Sequence, residues 1–184
     1  VAETMDFPLS YTLFQMERRG IAVDVKQLQQ MSKELGEQLA ELEQKMYTLA
    51  GREFNIASPS QLAIVLFEDL GLPTIGIKKG KNGYSTDAKT LAKLHGQHEL
   101  IALIEQTREL AKLRNTYLDT LPEQIGDDGR IHTTYLQDVA ATGRLSSNHP
   151  NLQNIPIRSD IGRKIRDAFI PAKGKVFVSA DYSQ

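Results

Sequence analysis

The stretch DVKQLQQMSKELGEQLAELEQKMYTLA, residues 24–50, decides the fold. Its apolar residues Val25, Leu28, Met31, Leu35, Leu39, Leu42, Met46 and Leu49 recur at steps of three and four. That is the period of an amphipathic α-helix with one buried stripe. Asp24 followed by Gln27 has the form of a capping box, and Gly51 suits the helix end. At about 1.5 Å per residue the helix is roughly 40 Å long, too long to be mere filling in a small globule.

A second periodic stretch runs from about Gln97 to Leu121, with Leu100, Ile104, Leu110, Leu113, Tyr117 and Leu121 on one face. Two long helices of this kind can bury their stripes against each other as an antiparallel pair. Two short helices are expected between them. Ser58-Pro59-Ser60-Gln61 puts Ser at the N-cap, Pro at the first helical position and Gln at the third, and Gly71 and Pro73 end that helix. The other starts after Ser85-Thr86-Asp87 and stops at Gly96. Gly76, Gly80 and Gly83, mixed with Lys78, Lys79 and Lys81, mark a flexible basic loop at the tip of this helical arm.

On either side of the arm the pattern changes. The first residues read as a helix (Leu9, Leu13, Met16) leading into a short strand, Ile21-Ala22-Val23. After the turn signal Asp127-Asp128-Gly129, residues Ile131 to Val139 read as a strand and residues 142–158 as polar and irregular. Asp160 to Asp167 reads as a short basic helix, and Lys175 to Ala180 as a buried strand through Val176-Phe177-Val178. The expected class is mainly α with a small β portion (α+β), an α-helical arm inserted in a sheet-containing base with breaks near 20 and 128.

The 184 residues are 40% hydrophobic and 24% charged, which is enough apolar side chain for a globular core. With no cysteine, disulfides and thiolate metal sites are excluded, and a reducing cytoplasm is the natural setting. No apolar run approaches the ~20 residues of a membrane span, and the start does not read as a signal peptide. The net charge of −1 is unevenly spread. Residues 1–71 carry six Lys/Arg against eleven Asp/Glu, and residues 129–184 carry eight against four. Residues 72–96 hold Lys78, Lys79, Lys81, Lys89 and Lys93 against Asp87 alone. Two basic zones of this kind permit a polyanion partner, although solvated surface charge gives the same pattern.

Two features carry chemistry. Asp181 follows the apolar run 176–178, where a carboxylate at a strand end can hold a hard divalent cation; many strands also end in Asp for turn reasons. Arg144, Asn151, Gln153, Asn154 and Arg158 form a dense set of amides and guanidinium groups suited to base edges and phosphates. A loop whose amides satisfy their own backbone is the plainer alternative. The four histidines show no metal-ligand spacing: His95 and His98 are three apart without partners, and all four read as structural or exposed.

Thr142-Gly143-Arg144-Leu145-Ser146-Ser147, then Asn151-Leu152-Gln153-Asn154-Ile155-Pro156, then Ala180-Asp181-Tyr182-Ser183-Gln184 resemble the family A DNA polymerases, of the bacterial DNA polymerase I kind. The likeness extends to Ser58-Pro59-Ser60-Gln61-Leu62, Gly83-Tyr84-Ser85-Thr86-Asp87 and Glu109-Leu110-Ala111-Lys112-Leu113, and so covers essentially the whole chain. The resemblance implies a thumb over residues 20–128, a palm-side helix over 1–19 and the first part of the palm over 129–184. In that frame Ser58, Ser60, Lys78, Lys79, Lys81, Ser85, Thr86 and Lys89 would grip the primer–template duplex. Arg144 would contact the minor-groove side of the primer terminus, with Asn151, Gln153 and Asn154 along the duplex. Arg158 would lie near the phosphates of an incoming deoxynucleoside triphosphate. Asp181 would be the first of two catalytic aspartates, holding Mg²⁺ together with the Tyr182 backbone carbonyl.

The family pattern continues past Gln184 into the fingers and a second catalytic aspartate. The 184 residues alone are therefore expected to bind duplex without extending a primer, with the two-metal Mg²⁺ site incomplete. The Val176–Val178 run is expected as an exposed edge able to pair with another copy. A stand-alone, sequence-independent duplex-binding module, a purely structural helical hairpin and one half of a split polymerase are the alternatives. A bacterial, nucleoid-associated cytoplasmic protein follows from the same resemblance.

Overall fold

A π-helical turn, Ala2–Asp6, runs into α1 (Phe7–Arg19), which has Pro8 in its first turn. Gly20 ends α1 with φ +59° and ψ −175°, a region essentially reserved for glycine. A Cβ at Gly20 would lie 2.8 Å from the Ile131 carbonyl oxygen. The reversal delivers the chain into β1 (Ile21–Val23) and then α2 (Val25–Ala50). Asp24 starts α2 as expected: its Oδ1 accepts the Gln27 main-chain N–H at 3.0 Å, one of the donors that a helix start leaves without a partner. The computed structural model describes residues 2–81 and 83–182, so Ser183 and Gln184 of the terminal motif lie outside the described residues.

The chain forms two compact units, one from residues 33–113 and one from the segments on either side, up to Ser32 and from Arg114 onward. The expected breaks near 20 and 128 both fall within the latter. In α2, Leu28, Met31, Leu35, Leu42 and Met46 are buried, while Val25, Leu39 and Leu49 are half-buried. In the 33–113 unit, α3 (Pro59–Ile64) follows the Ser58 cap, whose hydroxyl accepts the Gln61 N–H at 3.5 Å. It continues as a π-helical turn, Val65–Asp69, that buries Val65 and Leu66. The basic loop is more ordered than expected: β2 (Lys79–Gly80) and β3 (Gly83–Tyr84) form an antiparallel hairpin. The Tyr84 ring sits 5.1 Å from Phe67. Asp87 caps α4 (Ala88–Leu94) by accepting the Thr90 N–H at 2.8 Å. The final helix, α5 (Glu99–Leu113), buries Leu100, Ile101, Ile104, Leu110 and Leu113.

Back in the other unit, the helix expected to reach Leu121 is interrupted. Arg114–Leu118 form a π-helical turn, with the Asp119 N–H on the Arg114 carbonyl at 2.9 Å, before α6 (Thr120–Glu123). The wider turn allows Tyr117, Leu118 and Leu121 all to be buried. Arg114 Nε donates to Ser32 Oγ at 3.1 Å, and that hydroxyl donates to Asp119 at 2.5 Å. Then follow β4 (Arg130–Ile131), β5 (Thr134–Leu136), β6 (Ser146–Asn148), α7 (Asp160–Asp167) and β7 (Phe169–Ile170). The order β4-β1-β7 makes a small antiparallel sheet, registered Ile21↔Ile131 and Val23↔Phe169, while β5 and β6 pair separately.

Two strand expectations need correction. The single strand over 131–139 is two strands in two sheets. Between them, His132 and Thr133 are held by side-chain hydrogen bonds, Thr133 Oγ1 donating to the Pro150 carbonyl at 2.7 Å. Lys175–Ala180 is neither strand nor buried: Val176 is 81% and Val178 87% exposed. Strand propensity becomes a strand only with a ladder partner, and both edges of β1 are already taken by β4 and β7. Residues 142–158 also contain β6, paired Tyr135↔Ser147, in a stretch expected to be irregular.

His132 ties α1 to the 127–131 turn. Its Nδ1 lies 2.7 Å from the Glu17 carbonyl oxygen and its Nε2 3.0 Å from Asp128 Oδ1. Only the imidazolium can donate to both acceptors. The hydrogen bond to Asp128, then that to Glu17, raises the His132 pKa above its ordinary 6.5, and the same imidazole lowers Asp128 below 3.8. A raised histidine stabilises below 6.5 and loses that contribution as pH rises through its folded value. A lowered aspartate stabilises above 3.8 and loses it as pH falls through its folded value. The pair therefore contributes fully between pH 3.8 and 6.5. An NMR titration should place His132 above 6.5, and D128N should bring it down; an unmoved titration would refute the pairing. A second test concerns Gly162 in the first turn of α7, where a Cβ would strike the Pro156 carbonyl oxygen. G162A should destabilise by about 1–3 kcal/mol in chemical unfolding, the usual cost of overpacking.

Candidate nucleic-acid interface

The hairpin of the 33–113 unit shapes a cleft of about 630 Å³. Ser60 comes to it from α3, Lys78, Lys81 and Tyr84 from the hairpin, Ser85, Thr86 and Asp87 from the turn into α4, and Arg108 from α5. The connections are local. The Ser85 N–H donates to the Lys78 carbonyl at 2.8 Å, and the Asp87 N–H donates to Ser85 Oγ at 3.2 Å. Lys93 Nζ donates to the Gly76 carbonyl at 2.6 Å, tying the loop before the hairpin to α4.

Electrostatics favour an anion. Lys78, Lys81 and Arg108 face one carboxylate, that of Asp87. The Thr90 N–H, then Ser85, lowers the Asp87 pKa, so this carboxylate stays ionised and engaged as a helix cap. Among the described residues, Lys78, Lys79, Lys81 and Lys89 are exposed and enter no salt bridge. Lys79 instead stacks its ammonium 5.0 Å from the Tyr84 ring centroid.

The structure thus gathers Ser60, Lys78, Lys81, Ser85 and Thr86 in one cleft. Thr86 is only 4% exposed, its carbonyl and hydroxyl turned to Arg108. Ser58, Lys79 and Lys89 do not line the cleft, though the Ser58 hydroxyl is 3.1 Å from that of Ser60. Arg108 was not singled out from the sequence. The available signal is its place four residues after buried Ile104, a charge beside an apolar stripe.

The remaining candidates lie in the other unit. Arg144, Asn151, Gln153, Asn154 and Arg158 are all exposed, and their segment is pinned beneath them. Ser147 Oγ accepts the Leu152 N–H at 3.0 Å, Arg166 donates to the Ile155 carbonyl at 3.0 Å, and Gln153 Nε2 donates to Ser146 Oγ at 3.2 Å. Asp181 and Tyr182 are exposed, Tyr182 at 99%. None of these seven lines the 840 Å³ groove of their unit, which Ile21, Tyr135, Pro171 and Phe177 help to form. Among the described residues no three His, Asp or Glu side chains cluster to hold a metal ion. No described helix is long and apolar enough to cross a membrane.

A mainly α chain with a lysine-rimmed cleft and an amide- and arginine-rich surface loop fits a nucleic-acid-handling protein, and comparison specifies it: the chain belongs to DNA polymerase family A, whose model matches residues 25–184. Bacterial proteins are among its relatives. It is 51% identical over 185 residues to a DNA polymerase I of Synechocystis sp., covering 100% of this chain and 19% of that protein. It is 50% identical over 186 residues to that of Pseudomonas aeruginosa, covering 100% and 20%. Among solved structures it is similar to the POL domain of Pol1 from M. smegmatis, in complex with DNA primer-template and dNTP. That match has a TM-score of 0.83 and 43% identity, covering 94% of this chain and 30% of the other. The chain spans about a fifth of the length of the full-length relatives it matches.

Because Arg144, Asn151 and Asn154 are exposed and among the described residues form no hydrogen bond or ion pair through their side chains, single alanine substitutions there should leave unfolding free energy within about 0.5 kcal/mol of wild type. Larger losses in denaturant melts would assign them to the fold instead of to a ligand.

Proposed function

We propose that this chain is the duplex-holding part of a template-directed DNA polymerase, which joins deoxynucleotides to a primer 3′-hydroxyl. Residues 20–128 serve as its thumb, residues 129–184 begin its palm, and residues 1–19 belong to the palm side. The observation that carries the reading is the cleft rimmed by Lys78 and Lys81, whose ammonium groups have no described salt-bridge partner, in a chain of polymerase family A. The M. smegmatis relative with primer-template DNA and dNTP supports the same choice of partners.

Each group has a task its chemistry suits. Lys78, Lys79, Lys81 and Lys89 neutralise backbone phosphates and release counterions, which draws in duplex of any sequence. Ser60 and Ser85 line the cleft with hydroxyls available as hydrogen-bond partners for phosphate oxygens, Ser58 lies beside Ser60, and buried Thr86 contributes by holding the turn. Arg144 donates into the minor groove, where purine N3 and pyrimidine O2 accept whatever the base pair, so pair geometry is sensed without reading sequence. Asn151, Gln153 and Asn154 continue that surface along the duplex, and Arg158 meets the triphosphate of the incoming nucleotide.

For Mg²⁺, the exposed Asp181 carboxylate and the Tyr182 carbonyl are hard oxygen donors of the right kind. When bound, the metal pair would supply charge stabilisation to phosphoryl transfer. Two donors do not complete such a site, so these residues fit the metal only in part, and we assign Asp181 the role of one ligand.

The K78A/K81A variant should bind a primer–template duplex about tenfold more weakly or worse at low salt. The slope of log affinity against log salt should become shallower by about 0.9 for each phosphate no longer neutralised. An unchanged slope in fluorescence anisotropy would remove these lysines from the interface. The 184 residues by themselves should bind duplex without extending the primer. Magnesium-dependent extension in a gel assay would overturn the assignment of Asp181 as one ligand among several needed.

A further inference from the structure

Arg108 does something in the cleft that a free phosphate-binding cation would not. It reaches up from α5 and donates through Nη1 to the Thr86 main-chain carbonyl, while its Nη2 lies 3.4 Å from Thr86 Oγ1. Thr86 is buried at 4% exposure, so without Arg108 its carbonyl would lose its described side-chain donor. The guanidinium is itself half-buried and lines the cleft beside Lys78 and Lys81. Thr86 sits between two other constrained residues. Ser85 is tied to the Lys78 carbonyl, and Asp87 to the start of α4. Arg108 is thus the side chain that fastens the 85–87 turn, and through Ser85 the base of the lysine hairpin, to a long helix.

We propose that Arg108 is a positioning residue for the duplex phosphate held in this cleft. It fixes Thr86 so that the Ser85 hydroxyl and the Lys78 ammonium present a preformed anion seat. The inference rests on the duplex-binding reading given above. A planar fork can donate to the carbonyl and reach the hydroxyl together, whereas a lysine ammonium keeps the charge but not that geometry. Charge alone and positioning therefore predict different behaviour for R108K.

The test is a double-mutant cycle in the intact protein, using R108K, S85A and R108K/S85A. Anisotropy of a short labelled primer–template duplex is read at several salt concentrations, with each variant's melting temperature as a folding control. Positioning predicts that R108K binds about tenfold more weakly than wild type with an unchanged salt slope, because the charge count is the same. It also predicts that S85A adds little to R108K, since the hydroxyl is already misplaced. A purely structural role would lower the melting temperature without coupling the two substitutions in binding. Full rescue of affinity by R108K, or strictly additive losses, would overturn the inference while leaving the duplex-binding reading intact. Absence of duplex binding by the wild-type protein would overturn that reading, and this inference with it.

Discussion

The three residues of β1 hold together a unit built from the two ends of the chain. Ile21 pairs with Ile131 and Val23 with Phe169, so a single short strand joins segments more than a hundred residues apart. The ladder is brief, and neighbouring main-chain and side-chain hydrogen bonds reinforce it. The Asp24 N–H donates to the Ala168 carbonyl at 2.8 Å, and Gln27 Nε2 donates to the Lys164 carbonyl at 3.2 Å, so the start of α2 is fastened to α7. On the other side, Arg130 donates to the Arg19 carbonyl at 3.1 Å and Glu17 accepts the Tyr135 N–H at 2.7 Å. Because β1 lies between α1 and α2, the chain can leave through one long helix, build the 33–113 unit and return at Arg114.

This arrangement separates two kinds of binding chemistry. The 33–113 unit offers long, hydrated lysines around a cleft, which under the proposed function would tolerate any duplex sequence because phosphates carry no sequence information. The other unit offers amides and arginines on a short loop whose backbone is pinned by Ser147, Thr133 and Arg166. A pinned loop with exposed side chains loses little entropy when a ligand arrives, as preorganised sites require. Gly162 contributes to the same rigidity, since its missing Cβ lets α7 lie against Pro156.

Much of the fold was legible because its signals are local. The Asp24 cap, the stripe of α2, the Ser58 and Asp87 helix starts and the bounds of α7 follow from neighbouring residues and recur in the structure. The errors fall where non-local pairing decides. Val176-Phe177-Val178 has strand composition, yet no edge of β1 is left for it. The helix after Leu113 widens at Arg114, where a cluster with Ser32 and Asp119 forms across 82 residues of sequence. The site shows the same division: its lysines stand out by charge run, but Arg108 acquires meaning only through Thr86, 22 residues away.

The sequence by itself determined the class of this protein, mainly helical with a small β portion, and its family, because caps, helical periods and the motif strings around Arg144 and Asn151 are written in adjacent residues. Tertiary structure alone decided which candidates share a cleft, which serine and threonine are open to a ligand, and which apolar run becomes a strand. The physical reason is that burial and hydrogen-bond partnership are properties of pairs. Thr86 and Ser85 are equally polar as letters, yet one is enclosed by Arg108 while the other remains half-exposed beside Lys78.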